Sequence, residues 1–285
     1  MKIVNLMENT QGDPGCISQH GLSFYVETKK HKILVDAGPN GDILENAKAL
    51  KVDLKKVDAM ILSHGHYDHG GGILPFSELN PKAKIYLQQL ALKDYCAYDG
   101  AELGYRYIGI DPRIAWLPNV VKLEGDFEID EELSLFVMDQ NQYPIPSTNR
   151  KILERFHGSY VRDEFRHEQA LLIRSGKKSV VLSGCAHNGI LNVMDTVVRK
   201  FGIEPDVVIS GFHLMKKTDY VQEELQEIDD IARQLQKYQK TTFYTCHCTG
   251  LPAFERMQKI LGPNEEAGIT EGQLFYVHCG ETIKI

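Results

Sequence analysis

With 285 residues, 42% of them hydrophobic and 25% charged, the chain has the composition of an ordinary globular protein, not of a disordered or fibrous one. A formal net charge of -7 and a sequence pI near 5.9 leave no basic footprint for nucleic acid, and no such partner is expected. Six cysteines, Cys16, Cys96, Cys185, Cys246, Cys248 and Cys279, show no framework spacing and read as free thiols of a reducing compartment. The opening run Met1 to Leu6 is too short for a secretory leader, and no stretch is apolar for long enough to span a membrane. A cytoplasmic location without a membrane partner is therefore expected.

In chain order, Lys2 to Leu6 reads as a first strand, followed by a hairpin of Leu22 to Glu27 and Lys32 to Val35 around Lys29-Lys30. The hairpin ends in Asp36-Ala37-Gly38-Pro39, a turn that leaves Asp36 at a strand end. There it either caps the turn or orients a metal-bound histidine. Ile43, Leu44, Ala47 and Leu50 fall at helical spacing, and Asp58 to Leu62 reads as a buried strand.

Directly after that strand comes Ser63-His64-Gly65-His66-Tyr67-Asp68-His69-Gly70-Gly71-Gly72. Imidazole suits zinc, iron or manganese, and a carboxylate adds a hard, negatively charged oxygen. Three histidines and an aspartate exceed what one tetrahedral ion with an open position needs. The spacing thus predicts two adjacent ions, His64 and His66 aimed at one, Asp68 and His69 at the other. The glycines let the backbone fold tightly enough for the side chains to converge.

Ala83 to Leu87 reads as the next strand. From about 93 to 165 the periodicity weakens, with Tyr95, Tyr98, Tyr105, Tyr107 and Trp116 among Pro112, Pro118, Pro144 and Pro146, and one alternating strand over Leu133 to Met138. A long irregular insertion of this kind reads as a lid, its aromatics either stacking a flat substrate or packing a satellite core. Regular alternation then resumes. Strands are predicted at Gln169 to Arg174, Ser179 to Ser183, Val207 to Ser210, Thr241 to Thr245, Gln273 to Val277 and Thr282 to Ile285. Helices are predicted around Ile190 to Phe201, Val221 to Leu235 with Asp219 and Gln222 as a capping box, and Phe254 to Leu261 before Gly262-Pro263.

His64, His187, His213 and His247 each follow an apolar strand within a few residues. Ligands gather beyond the carboxyl ends of strands in layered α/β folds, so these four are expected to meet. His31 and His157 read as surface residues, and His20 and His278 fit neither group. Cys246-His247-Cys248 alternatively reads as a fragment of a structural zinc or iron–sulfur site.

The His-x-His-x-Asp-His stretch resembles the signature of the metallo-β-lactamase superfamily. The early Gln19-His20-Gly21-Leu22-Ser23, Gly184-Cys185-Ala186-His187-Asn188-Gly189, Gly211-Phe212-His213-Leu214 and His247-Cys248-Thr249-Gly250 resemble its dihydropteroate-synthase-like branch, except that Gln19 stands where relatives often have glutamate. The resemblance implies an α/β fold, a four-layer αβ/βα sandwich, as one domain over 1–285 with a lid at about 93–165. It implies metal ligation by His64, His66, Asp68, His69, His187 and His247. Cys185 stands where many relatives carry a bridging aspartate, either as a thiolate ligand or as a small buried residue. His167 competes with His187 for the third place on the first ion. His213 is expected to face the substrate and, with Asp68, to serve catalysis.

Two divalent ions are expected, zinc by its fit to imidazole, with manganese, iron or magnesium as alternatives. The expected activity is hydrolysis of a phosphorylated or ester small molecule, with Arg113 or Arg150 meeting phosphate and Trp116 stacking a ring. One alternative is a transferase joining a pterinylmethyl diphosphate to an arylamine ribose phosphate with release of diphosphate. Another is a redox or metal-sensing protein.

Overall fold

The computed structural model describes residues 1–263 and 272–285. The strands are β1 (Lys2–Met7), β2 (Ser23–Glu27), β3 (Lys32–Val35), β4 (Ala59–Ile61), β5 (Lys84–Gln88), β6 (Tyr95–Tyr98), β7 (Tyr105–Tyr107), β8 (Val120–Leu123) and β9 (Phe127–Glu128). They continue as β10 (Leu133–Val137), β11 (Ile152–Phe156), β12 (Ser159–Arg162), β13 (Gln169–Ser175), β14 (Lys178–Leu182), β15 (Val207–Ser210), β16 (Thr242–Thr245), β17 (Leu274–Tyr276) and β18 (Thr282–Lys284). The helices are α1 (Asp42–Ala49), α2 (Tyr67–Gly70), α3 (Ile73–Leu79), α4 (Ile190–Phe201), α5 (Gln222–Leu235) and α6 (Leu251–Leu261).

Two seven-stranded mixed sheets face each other, in the orders β18-β1-β2-β3-β4-β5-β8 and β17-β16-β15-β14-β13-β10-β9. Each is antiparallel on one side and parallel on the other. Alternation along the strands decides which layer each side chain joins. Ile33, Val35 and Ile61 pack between the sheets against Leu171, Val180 and Ile209. Leu34 and Met60 point outward to Ile43 and Ala47 of α1 and Phe76 of α3. Val181 and Val208 point outward to Met194 and Val197 of α4 and Met257 of α6. Buried on both faces, the central strands read as nearly continuous apolar runs. The result is the four-layer α/β sandwich, with helices outside two sheets.

The weakly patterned stretch differs from the irregular insertion expected of it. β8 completes the first sheet and β9 and β10 the second, while β12-β11-β6-β7 form a separate four-stranded sheet. Its edge strands β7 and β12 are exposed along their whole length, so no inside–outside alternation marks them in the sequence. Tyr95, Ile108, Ile152 and Phe165 form a small core beneath this sheet. The sheet curls so that Tyr105 and Tyr160, on opposite edges, stack at 3.7 Å between ring centroids. The capping box also shifts: Glu224 accepts from the Val221 backbone N–H at 2.9 Å, and α5 begins at Gln222.

Candidate metal centre

The loop after β4 turns into the four-residue helix α2, which leaves Asp68 and His69 buried on its inner side. Gly65 is required there, because a Cβ would lie 2.4 Å from the Ala91 carbonyl oxygen. Gly71 is equally confined, its Cβ falling 1.9 Å from the Pro39 oxygen. The second sheet delivers Cys185 and His187 after β14, His213 after β15 and His247 after β16. Asp36, Ala186, His213 and His247 all adopt left-handed backbone, with φ of 57°, 49°, 47° and 52°. Such strain at strand ends is held in place by the surrounding packing and concentrates at functional sites.

His64, His69, His187 and His247 are buried and turn their Nε2 atoms toward one another. His64 Nε2 lies 3.2 Å from His187 Nε2, and His69 Nε2 lies 3.2 Å from His247 Nε2. Asp68 Oδ2 stands 3.3 Å from His247 Nε2 and 3.8 Å from His69 Nε2. Cys185 Sγ is 3.1 Å from His69 Nε2. Side chains on a tetrahedral ion with bonds of about 2.0–2.1 Å place their donor atoms roughly 3.3 Å apart. The observed spacings fit that value.

The outward nitrogens explain the inward ones. His69 Nδ1 donates to Asp36 Oδ2 at 2.6 Å, His187 Nδ1 to Asn149 Oδ1 at 2.6 Å, and His247 Nδ1 to Asn9 Oδ1 at 2.8 Å. Ser63 Oγ gives its hydrogen to Asp36 Oδ2 at 2.7 Å and so accepts from His64 Nδ1 at 2.9 Å. In His64, His187 and His247 the proton on Nδ1 leaves a lone pair on Nε2, the arrangement of a metal-binding histidine. Burial holds His64 and His187 well below the usual imidazole range and His66 and His247 at about 3, so these rings are uncharged. In His69 burial opposes the charged form, but Asp36 and Asp68 outweigh it and raise the pKa. Burial likewise works against the Asp68 carboxylate, yet His69, His20 and His247 hold it well below its ordinary value. Among the described residues the buried His66 Nε2 has no hydrogen-bond partner, its ring 4.5 Å from that of His64 and 4.8 Å from that of His187. Ligation of a cation would satisfy this nitrogen.

His167 is differently employed. Its Nδ1 accepts from the Gly65 backbone N–H at 3.0 Å, and its Nε2 donates to Asp163 Oδ2 at 3.0 Å. Both nitrogens are hydrogen-bonded, and with His66 and Asp163 the ring also forms a buried group whose ligand atoms lie within 4.8 Å of one another. His213 stands 4.2 Å from His187 between ring centroids, and burial lowers it to about 4. Arg113 is held by Asp111 at 2.7 Å and Trp116 is 87% exposed. Among the described residues no hydrogen bond, ion pair or ring contact joins either to the histidines. Arg150 is exposed next to Asn149, the partner of His187.

Several participants escape a reading of the sequence alone. His20 Nε2 lies 3.2 Å from Asp68 Oδ2. Glu8 accepts from the His247 backbone N–H at 2.6 Å, and Glu168 from those of His187 and Asn188 at 2.6 and 2.9 Å. Phe165 stacks on His187 at 4.7 Å. Of these, His20 carried a signal as part of Gln19-His20-Gly21-Leu22-Ser23, and Glu168 directly follows the candidate His167.

A family model described as the metallo-β-lactamase superfamily matches residues 19–139. The 7,8-dihydropterin-6-methyl-4-(β-D-ribofuranosyl)-aminobenzene-5'-phosphate synthase of Methanocaldococcus jannaschii is 30% identical over 277 residues, 89% of each chain. The chain belongs to the metallo-β-lactamase superfamily. Among solved structures, that of Tm1679, described as a metal-dependent hydrolase of the β-lactamase superfamily, matches with a TM-score of 0.81 and 26% identity, covering 100% of this chain and 99% of the other. Zn(2+)-bound PqqB from Methylobacterium extorquens matches over the whole of both chains with a TM-score of 0.54 and 15% identity, a likeness of fold alone. In this superfamily member, then, buried histidine, aspartate and cysteine clusters lie at the strand ends of a hydrolase-like fold.

Proposed function

We propose that the chain is a dinuclear metal-dependent hydrolase acting on a phosphorylated or ester small molecule. The supporting observation is the set of four imidazoles with Nε2 turned inward at ligand spacing beside Asp68. His64, His66 and His187 are assigned to one ion, and Asp68, His69 and His247 to the other. Two divalent ions, when bound, supply Lewis acidity that acidifies water and neutralises an anionic group. Zinc is favoured by the imidazoles, with manganese, iron or magnesium as alternatives.

The chain's own residues orient, exclude water and move protons. Asp36, Asn149, Asn9 and Ser63 lock the rings in the ligating tautomer. Asp68 is fixed beside His69, His247 and His20 and keeps its charge at neutral pH. His213, uncharged near neutral pH, sits beside His187 where it can take a proton from a reacting group. Arg106, followed by Lys217 and Lys151, depresses the Asp99 carboxylate, and the Arg106 charge also acts on Tyr67 and Asp68. Arg106 is itself paired with Asp99, its Nε 2.6 Å from Asp99 Oδ2. Arg150 is assigned to the rim of the site, and the four-stranded sheet to the role of lid.

The identity with the jannaschii synthase favours a second reading, transfer of a pterinylmethyl group from its diphosphate to an arylamine ribose phosphate. The test is metal-loaded protein assayed on generic phosphodiesters and esters and, separately, on the pterin and arylamine pair. Turnover of the former supports hydrolysis. Diphosphate release that requires the arylamine supports transfer, and neither activity from a two-metal protein sinks both.

A further inference from the structure

Among the described residues, Cys185 alone joins both imidazole pairs. Its Sγ belongs to the group formed with His64 and His187 and also to the group formed with His69 and His247, every ligand atom of each group lying within 4.8 Å of the others. The residue is 2% exposed and stands at the end of β14 between the two imidazole pairs. The first pair comes together at 3.2 Å, as does the second, and Sγ is 3.1 Å from His69 Nε2. A merely small, buried cysteine would face apolar side chains. This one has an imidazole nitrogen, His69 Nε2, at 3.1 Å.

We propose that Cys185 is a thiolate ligand shared by the two ions, and that it makes the centre select thiophilic divalent cations such as zinc and cobalt over magnesium and manganese. The proposal rests on the two-ion reading above. Soft sulfur donors favour zinc, whereas magnesium and manganese prefer carboxylate, carbonyl and water oxygens. Thiolate ligation of a divalent cation displaces the thiol proton to solvent. Cys248 serves as an internal control. Its Sγ points at the Cys185 carbonyl oxygen, 3.7 Å away, and packs so closely on Gly211 that a Cβ there would come within 2.4 Å. It belongs to none of the ligand groups.

The experiment is titration of metal-free protein with cobalt(II), read in the near-ultraviolet for thiolate-to-cobalt charge transfer and in the visible for the cobalt environment. The expected result is a charge-transfer band that grows to two equivalents, disappears in Cys185→Ser and persists in Cys248→Ser. In competition, Cys185→Asp should narrow the preference for zinc over manganese by about tenfold or more. If Cys185→Ser loses its cooperative melt, Cys185→Asp gives the same spectroscopic readout. Two bound cobalt ions without the band, or a band that survives removal of the Cys185 thiol, overturns thiolate ligation. A single cobalt ion whose band depends on Cys185 overturns the two-ion reading, and with it the sharing.

Discussion

The two halves of the sandwich build the centre in opposite ways. The first half places His64, His66, Asp68 and His69 within one loop and short helix, and braces them locally through Asp36 and Ser63. The second half supplies Cys185 and His187, His213 and His247 from three separate strand ends, each braced from a distant part of the chain by Asn149, Thr148 or Asn9. The local cluster depends on tight backbone. The distributed set depends on strand register, since β14, β15 and β16 run parallel and deliver their ends side by side. A single disturbance should therefore harm the first half as a unit and the second half one ligand at a time.

That contrast can be broken by substitutions, ordered here by their effect on stability and metal affinity. Gly65→Ala drives a methyl into the Ala91 backbone and should destabilise the fold by about 3 kcal/mol while losing both ions. Its denaturation midpoint and metal content measure this, and a parent-like midpoint with metal retained would contradict it. His187→Ala should retain the fold and lose one ion, with an affinity loss greater than the roughly 10–100-fold typical of supporting residues. Full metal occupancy by elemental analysis would remove His187 from the ligands. Asp36→Ala and His167→Ala should each weaken metal binding about 10–100-fold without abolishing it, as seen by competition with a chelator. Complete loss of an ion in His167→Ala, with His187→Ala fully loaded, would exchange the roles of the two histidines. His213→Ala should keep metal affinity and lose about a hundredfold or more in kcat on whichever substrate is turned over. The smallest effect belongs to Arg113→Ala and Trp116→Ala, expected within about 0.5 kcal/mol of the parent in stability and with unchanged turnover. A large drop in activity from either would place it at the substrate after all.

The same contrast explains what the sequence discloses. The four ligand-type residues between His64 and His69 stand out because their meeting needs only local geometry. The strand ends carrying His187, His213 and His247 were legible through apolar runs, because buried parallel strands leave that trace. His187 and His167 differ in what their ring nitrogens meet, which periodicity does not record and which appears only once Gly65 and Asp163 are placed around His167. Asn9, Glu8 and Asn149 left no trace, since each is one polar side chain reaching across a fold. The four-stranded sheet was obscured by its own exposure: β7 and β12 bury neither face. Arg113 and Trp116 look like substrate contacts by residue type alone. In the fold Arg113 pairs with Asp111 and Trp116 is exposed, positions that residue type does not predict.

The central claim is that one chain carries two ions in a single centre. The most direct measurement is elemental analysis of protein loaded with zinc and freed of excess by dialysis, compared with active protein concentration. The predicted result is two equivalents per chain, falling to one in His187→Ala and in His247→Ala. A parent protein that never exceeds one equivalent under saturating metal would contradict the account.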